Sequence, residues 1–214
     1  MSRSARVRGL YAVTPDLADT TRLTALVGAA LEGGARVVQY RNKPASKALR
    51  MEQARALKSA CELHGAMLIV NDDVDVAAAV EAHGVHLGRD DCFGLDTRAR
   101  LGEGRLIGVS CYDSLERARA ARKDGADYVA FGSFFPSRVK PGAVRASVSL
   151  LTEAKAELDV PVVAIGGITV ENGAALVAAG ADALAVISAL FDAPDVKAAA
   201  AQFDALFPSD DAQR

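Results

Sequence analysis

The chain has 214 residues, 25 of them basic and 27 acidic, for a formal net charge of −2. Half of the residues are hydrophobic and 24% are charged, an ordinary globular composition that excludes long disorder. No basic block offers a footprint for nucleic acid, no apolar run approaches the ~20 residues that span a bilayer, and the opening MSRSARVRG lacks the apolar core of a signal peptide.

In chain order, short β-branched runs alternate with alanine-rich stretches. Strands are expected near Leu10–Val13, Val37–Tyr40, Met67–Val70, Val85–Leu87, Leu106–Val109, Tyr128–Phe131, Val162–Ile165 and Ala183–Ile187. Their apolar runs are near-continuous, as for parallel strands covered on both faces. Helices fall between them, among others over Thr21–Glu32, Ser46–Leu63, Ser114–Lys123 and Val170–Ala179. Ser114 and Thr169 stand where a helix start is capped, and Gly33, Gly65, Gly125 and Gly180 where a helix ends. This rhythm predicts an α/β fold, a compact (β/α)8 TIM barrel, with a doubly wound open sheet as the alternative. EGGARVVQ, AHGVHLG, KDGADYVAFG and AAGADALAVIS share a small-residue turn into a strand, as in an internal repeat. At ~150 residues per domain the chain reads as one domain over 1–214, with loosely ordered tails at 1–7 and 208–214. Cys61, Cys92 and Cys111 form no CxxC pair and read as reduced thiols, so a cytoplasmic location is expected.

Polar residues follow the strands, and in a barrel all those ends share one face. Gln39, Arg41 and Lys43 alternate along an extended segment, so they can face one way and suit an anionic ligand. NDD (71–73) and GRDD (88–91) bring carboxylates from neighbouring strand ends, a common way to hold Mg²⁺ together with substrate phosphates. Spacing does not choose among Asp72, Asp73, Asp75, Asp90 and Asp91, and Asp73 or Asp90 also suits a helix cap. GGIT (166–169) and Ser188 would set backbone amides at the ends of strands seven and eight, where many barrels bind phosphate. The loop 132–147, with Ser137 and Lys140, has the length of a lid. There is neither GxxxxGK[ST] nor a GxGxxG opening a helix. His83 and His86 read as packed residues rather than metal ligands. Acid–base or covalent catalysis has few candidates, while positioning and electrostatics have many.

VQYRNK (38–43), IVNDDVDVA (69–77), GVHLGRDD (84–91), IGVSCYDS (107–114), DYVAFGSFFPSRVKPGA (127–143), VVAIGGIT (162–169) and AVIS (185–188) together resemble the thiamine phosphate synthase family, from about Leu10 to Phe191. The resemblance implies a magnesium-dependent transferase of thiamine biosynthesis on a (β/α)8 fold. Such an enzyme joins 4-amino-2-methyl-5-hydroxymethylpyrimidine diphosphate to the phosphate ester of 4-methyl-5-hydroxyethylthiazole, releasing pyrophosphate. Carried over by position, Gln39, Tyr40, Arg41, Asn42, Lys43, Asn71, Ser110 and Lys140 would contact the pyrimidine diphosphate. Among them Arg41, Lys43, Ser110 and Lys140 would serve the chemistry. Asp72 and Asp91 match the metal ligands, and Ser137, Arg138, Val139, Gly167, Ile187 and Ser188 match the thiazole-phosphate site. The implied partners are small phosphorylated substrates, with no nucleic acid or membrane, and oligomeric state is open. PSRVK departs from the family's Thr-x-Thr-Lys pattern, so Val139 removes a hydroxyl, and Arg89 replaces a commoner Gln. The competing readings are a thiazole tautomerase on the same fold, a non-catalytic sensor of a phosphorylated ligand, and a phosphosugar isomerase or epimerase.

Overall fold

The computed structural model describes residues 7–88, 95–136 and 144–208. The strands are β1 (Gly9–Val13), β2 (Val37–Tyr40), β3 (Met67–Asn71), β4 (Gly84–Leu87), β5 (Leu106–Tyr112), β6 (Tyr128–Phe131), β7 (Val162–Ile165) and β8 (Ala183–Val186). The helices are α1 (Thr20–Glu32), α2 (Lys47–Leu63), α3 (Val74–Ala79), α4 (Leu95–Leu101), α5 (Leu115–Lys123), α6 (Ser149–Glu157), α7 (Val170–Ala178), α8 (Ser188–Phe191) and α9 (Val196–Asp204).

All neighbouring strands are parallel, and the sheet closes β1 to β8 in sequence order. Closure is made by β1 against β8, with Leu10 opposite Leu184 and Ala12 opposite Val186. This excludes the open doubly wound sheet and gives a single-domain (β/α)8 barrel. Alternation along the strands sorts side chains into two cores. Tyr11, Val13, Val37, Met67, Ile69, Leu106, Tyr128 and Ala130 fill the barrel interior. Leu10, Ala12, Val38, Tyr40 and Leu68 face outward, in one cluster with Leu23, Val27, Leu57 and Phe203 of the helices. Val7, expected in a loose tail, is fully buried in the interior core. Pro208 is described and exposed, and residues 1–6 and 209–214 of the two expected tails lie outside the described residues.

The helix starts follow the sequence closely. Ser46 accepts from the Leu49 amide and Ser114 from the Arg117 amide, so each is a cap, with the helix beginning one residue later. Thr169 and Asn172 form a reciprocal capping box before α7. Two strands run longer than their apolar cores: β3 includes Asn71, and β5 continues through a register shift between Ser110 and Tyr112. Ser110 thus lies within β5 rather than after it.

Burial pushes the Cys61 and Cys111 thiols and the Tyr40 phenol up to about 12. The native state then holds protons that the unfolded chain has released. The stabilisation is complete below the unfolded values and is lost as pH rises from about 9 towards 12. The urea midpoint is therefore expected to fall between about pH 8 and pH 10.5. A midpoint that rises over that interval would contradict this assignment.

Candidate functional site

At the C-terminal ends of the strands, a cavity of about 460 Å³ opens, lined among others by Tyr11, Gln39, Arg41, Asn71, His86, Ser110, Gly167, Ile187 and Ser188. That volume suits one or two small molecules. Chain alternation decides which residues of β2 and its exit loop reach the cavity. Gln39 and Arg41 line it, while Tyr40 and Asn42 turn the other way.

Two residues from the end of β1 fix the segment after β2. Thr14 Oγ1 donates to the Arg41 carbonyl and accepts from the Arg41 amide, both at 2.9 Å. Asp16 accepts from Arg41 Nη1 with both oxygens at 3.2 Å, and its Oδ1 also accepts from the Lys43 amide at 3.1 Å. The Arg41 side chain is 18% exposed, so the guanidinium is held rather than free to swing.

The outward pair has a different task. Tyr40 donates its hydroxyl to Gln53 Oε1 at 2.9 Å, and Asn42 Nδ2 donates to the same oxygen at 3.0 Å and to the Leu17 carbonyl at 2.7 Å. Gln53 Nε2 donates to the Leu17 carbonyl at 2.9 Å. The Tyr40 and Asn42 side chains thus anchor the mouth loop to α2 rather than lining the cavity. Gln53, fully buried, was not singled out from sequence; a Gln on the apolar face of α2 was the available signal.

After β3 the three carboxylates separate by partner. Asp73 caps α3 by accepting from the Val76 amide, and pairs with Arg50 at 3.1 Å. Asp75 pairs with Arg100 at 2.6 Å on the outer surface. Asp72 has a backbone φ of 62°, its amide donates to the His86 carbonyl at 2.8 Å, and its Oδ2 lies 3.7 Å from Lys43 Nζ. Of these three, Asp72 is the carboxylate beside the cations of β2. Arg89, Asp90, Asp91 and Cys92 lie outside the described residues.

Ser110 belongs to a polar chain that crosses the barrel interior. Gln39 Nε2 donates to Tyr11 Oη at 2.9 Å, and Tyr11 and Tyr128 share a hydroxyl–hydroxyl bond of 2.9 Å. Tyr128 Oη lies 3.0 Å from His86 Nδ1, and His86 Nε2 lies 2.9 Å from Ser110 Oγ. Burial pushes both phenols above their ordinary value, so they stay protonated. Gly108 makes room for this: a Cβ there would sit 1.9 Å from Tyr128 Cζ. His86 fits its reading as a packed residue, but it also reaches the cavity. Tyr11 and Tyr128 were not singled out from sequence, since each sits in an apolar run.

On the opposite side, Gly167 has φ 64°, and a Cβ there would meet the Pro136 carbonyl at 2.3 Å. The chain beyond β6 runs beside it, with the Phe135 amide donating to the Gly166 carbonyl at 3.0 Å. Ile187 precedes α8, which begins at Ser188 without a side-chain cap. The described ends of the 132–147 loop are joined by the Ser133 amide to the Val144 carbonyl and the Ala146 amide to the Ser133 carbonyl. Ser137, Arg138, Val139 and Lys140 lie outside the described residues.

A closed parallel barrel with cations, carboxylate and a glycine turn gathered at its C-terminal mouth is the architecture of a (β/α)8-barrel enzyme. The family model for thiamine monophosphate synthase matches residues 10–190. A thiamine-phosphate synthase of Chromobacterium violaceum is 56% identical over 195 residues, covering 91% of this chain and 94% of that one. One from Azoarcus is 55% identical over 202 residues, covering 94% and 98%. The solved thiamine phosphate pyrophosphorylase of Pyrococcus furiosus is 34% identical, with a TM-score of 0.83 over 95% of this chain and 96% of that one. The chain belongs to the thiamine monophosphate synthase family, transferases of thiamine biosynthesis. A 3-hexulose-6-phosphate synthase of Salmonella typhimurium, 17% identical with a TM-score of 0.70, shares the fold. No described helix is long and apolar enough to cross a membrane.

Proposed function

We propose that this mouth joins 4-amino-2-methyl-5-hydroxymethylpyrimidine diphosphate to 4-methyl-5-(2-phosphoethyl)thiazole, giving thiamine phosphate and pyrophosphate. The observation that carries the reading is that one cavity has Arg41 at one side and Gly167 with Ser188 at another. Two separate anion-seeking regions suit two phosphorylated substrates that must meet between them.

In this reading the pyrimidine diphosphate lies over Gln39, Arg41, Asn71 and Ser110, with Lys43 beside its phosphates, and the family resemblance adds Lys140 to the same ligand. The thiazole phosphate takes the Gly167, Ile187 and Ser188 side, and the family resemblance assigns Ser137, Arg138 and Val139 to the same ligand. Breaking the pyrimidine C–O bond leaves a carbocation that the ring's 4-amino group stabilises by donation. The thiazole nitrogen then adds to that carbon. No strong base is required at the reacting carbon; the protein stabilises the charge growing on the departing pyrophosphate and holds the nitrogen in line. Arg41, held by Asp16, offers its fork in a fixed position, which lowers the reorganisation cost of the step.

Mg²⁺ fits the donors present. Asp72 is a hard oxygen ligand, 35% exposed, and so leaves room for the water that Mg²⁺ retains. Asp72 would hold the ion together with Asp91, and the ion, when bound, neutralises charge on the diphosphate. Turnover with both substrates, and with each left out in turn, tests the proposal. Equal amounts of thiamine phosphate and pyrophosphate, only when both are present, are expected. Pyrophosphate release without the thiazole phosphate, or binding of either substrate without product, would contradict it and favour hydrolysis or a sensor.

A further inference from the structure

We propose that Gln39, Tyr11, Tyr128, His86 and Ser110 form a one-way hydrogen-bond relay that fixes Ser110 as a donor into the cavity, with Tyr128 and Tyr11 as positioning residues.

The direction follows from counting protons. The Gln39 amide nitrogen can only donate, so Tyr11 Oη is an acceptor in that bond. Tyr11 is 1% exposed and Tyr128 is fully buried, and no buried side-chain nitrogen or oxygen among the described residues lacks a partner. The single Tyr11 proton therefore goes to Tyr128 Oη, its other neighbour at 2.9 Å. Tyr128, having accepted, donates its own proton to His86 Nδ1 at 3.0 Å. His86 Nδ1 is then an acceptor, its proton sits on Nε2, and that N–H donates to Ser110 Oγ at 2.9 Å. With one lone pair engaged, the Ser110 hydroxyl proton is left to point away from His86, into the cavity that Ser110 lines.

The reverse order would have Tyr11 Oη accept from both Gln39 and Tyr128, leaving the Tyr11 proton with no acceptor in the chain. The amide of Gln39 is thus the element that sets the direction for a hydroxyl on the opposite side of the barrel, through three residues buried between them. The space is built for it, since only a glycine at 108 admits the Tyr128 ring. A hydroxyl presented as a fixed donor selects a ligand atom with a lone pair, such as a pyrimidine ring nitrogen, over an N–H at the same place. That last step rests on the proposed function, whereas the direction of the relay does not.

The test is ¹⁵N NMR of histidine-labelled, ligand-free protein at about pH 8, above the ordinary imidazole pKa of ~6.5. His86 is assigned by its loss in His86→Gln. A neutral ring protonated at Nε2 is expected; protonation at Nδ1, or at both nitrogens, overturns the relay. Gln39→Glu replaces the donor with an acceptor and is expected to move the proton to Nδ1; an unchanged tautomer overturns the claim that residue 39 sets the direction. Tyr128→Phe keeps the ring and removes the link. It is expected to raise KM for the pyrimidine diphosphate about tenfold while leaving KM for the thiazole phosphate unchanged, and equal changes in both would mean a purely structural role. Should the wild type turn over neither substrate, the proposed function fails while the tautomer still reads the relay.

Discussion

Arg41→Ala is expected to lower kcat/KM for the pyrimidine diphosphate by about 10²- to 10³-fold, the scale of losing one preorganised group that meets developing charge. Two effects add. The variant loses a guanidinium whose position is set by Asp16 at 3.2 Å and by the two Thr14 bonds to its backbone. It also leaves the Asp16 carboxylate, 37% exposed, without the cation that offsets it, so the mouth repels an incoming diphosphate. Arg41→Lys restores charge but not the fork, and is expected to recover part of the loss. Arg41→Ala/Asp16→Asn removes the repulsion and is expected to recover part of the KM effect, but little of kcat. Steady-state kinetics of the three variants separates these contributions. An Arg41→Ala variant within about threefold of wild type would remove Arg41 from the chemistry.

The second large effect is on stability. Gln53→Leu keeps the volume but takes away the oxygen that accepts from Tyr40 and Asn42 at 2.9 and 3.0 Å, and the nitrogen that donates to Leu17. Asn42 keeps its bond to the Leu17 carbonyl at 2.7 Å, so the stranded group is the Tyr40 hydroxyl. An unsatisfied buried hydroxyl and two lost bonds predict about 2–3 kcal/mol of destabilisation, read as a lower urea midpoint with an unchanged slope. Adding Tyr40→Phe removes the stranded hydroxyl, so the double variant is expected to be no less stable than Gln53→Leu alone. Full additivity of the two single losses would show that the contact carries no energy of its own.

The fold was legible because parallel strands covered on both faces are written as near-continuous apolar runs, and three of the expected strands, Val37–Tyr40, Tyr128–Phe131 and Val162–Ile165, have the observed bounds. Their rhythm could not distinguish a closed sheet from an open one, because closure depends on the pairing of β1 with β8, which no local segment encodes. The position-by-position resemblance grouped residues 39–43 together, whereas the two-residue period of a strand divides them. Gln39 and Arg41 reach the cavity, and Tyr40 and Asn42 reach Gln53. That same period could have marked Tyr11 and Tyr128, which share the interior face with Val13 and Ala130. Nothing in an apolar run says that two phenols will meet across the barrel. Among the acids, spacing left Asp72, Asp73 and Asp75 equivalent, and only their partners separate them: an amide and Arg50 for Asp73, Arg100 for Asp75, and the mouth-side Lys43 for Asp72.

In the proposed function this mouth condenses the two phosphorylated substrates, with Asp72 holding the metal. Its most direct test is the rate of thiamine phosphate formation at saturating substrates as Mg²⁺ is titrated, for wild type and for Asp72→Ala. Metal-dependent product from the wild type is expected, with a loss of about 10²-fold or more in the folded variant. Product formation that ignores Mg²⁺, or an Asp72→Ala variant with wild-type rate and metal dependence, would contradict it.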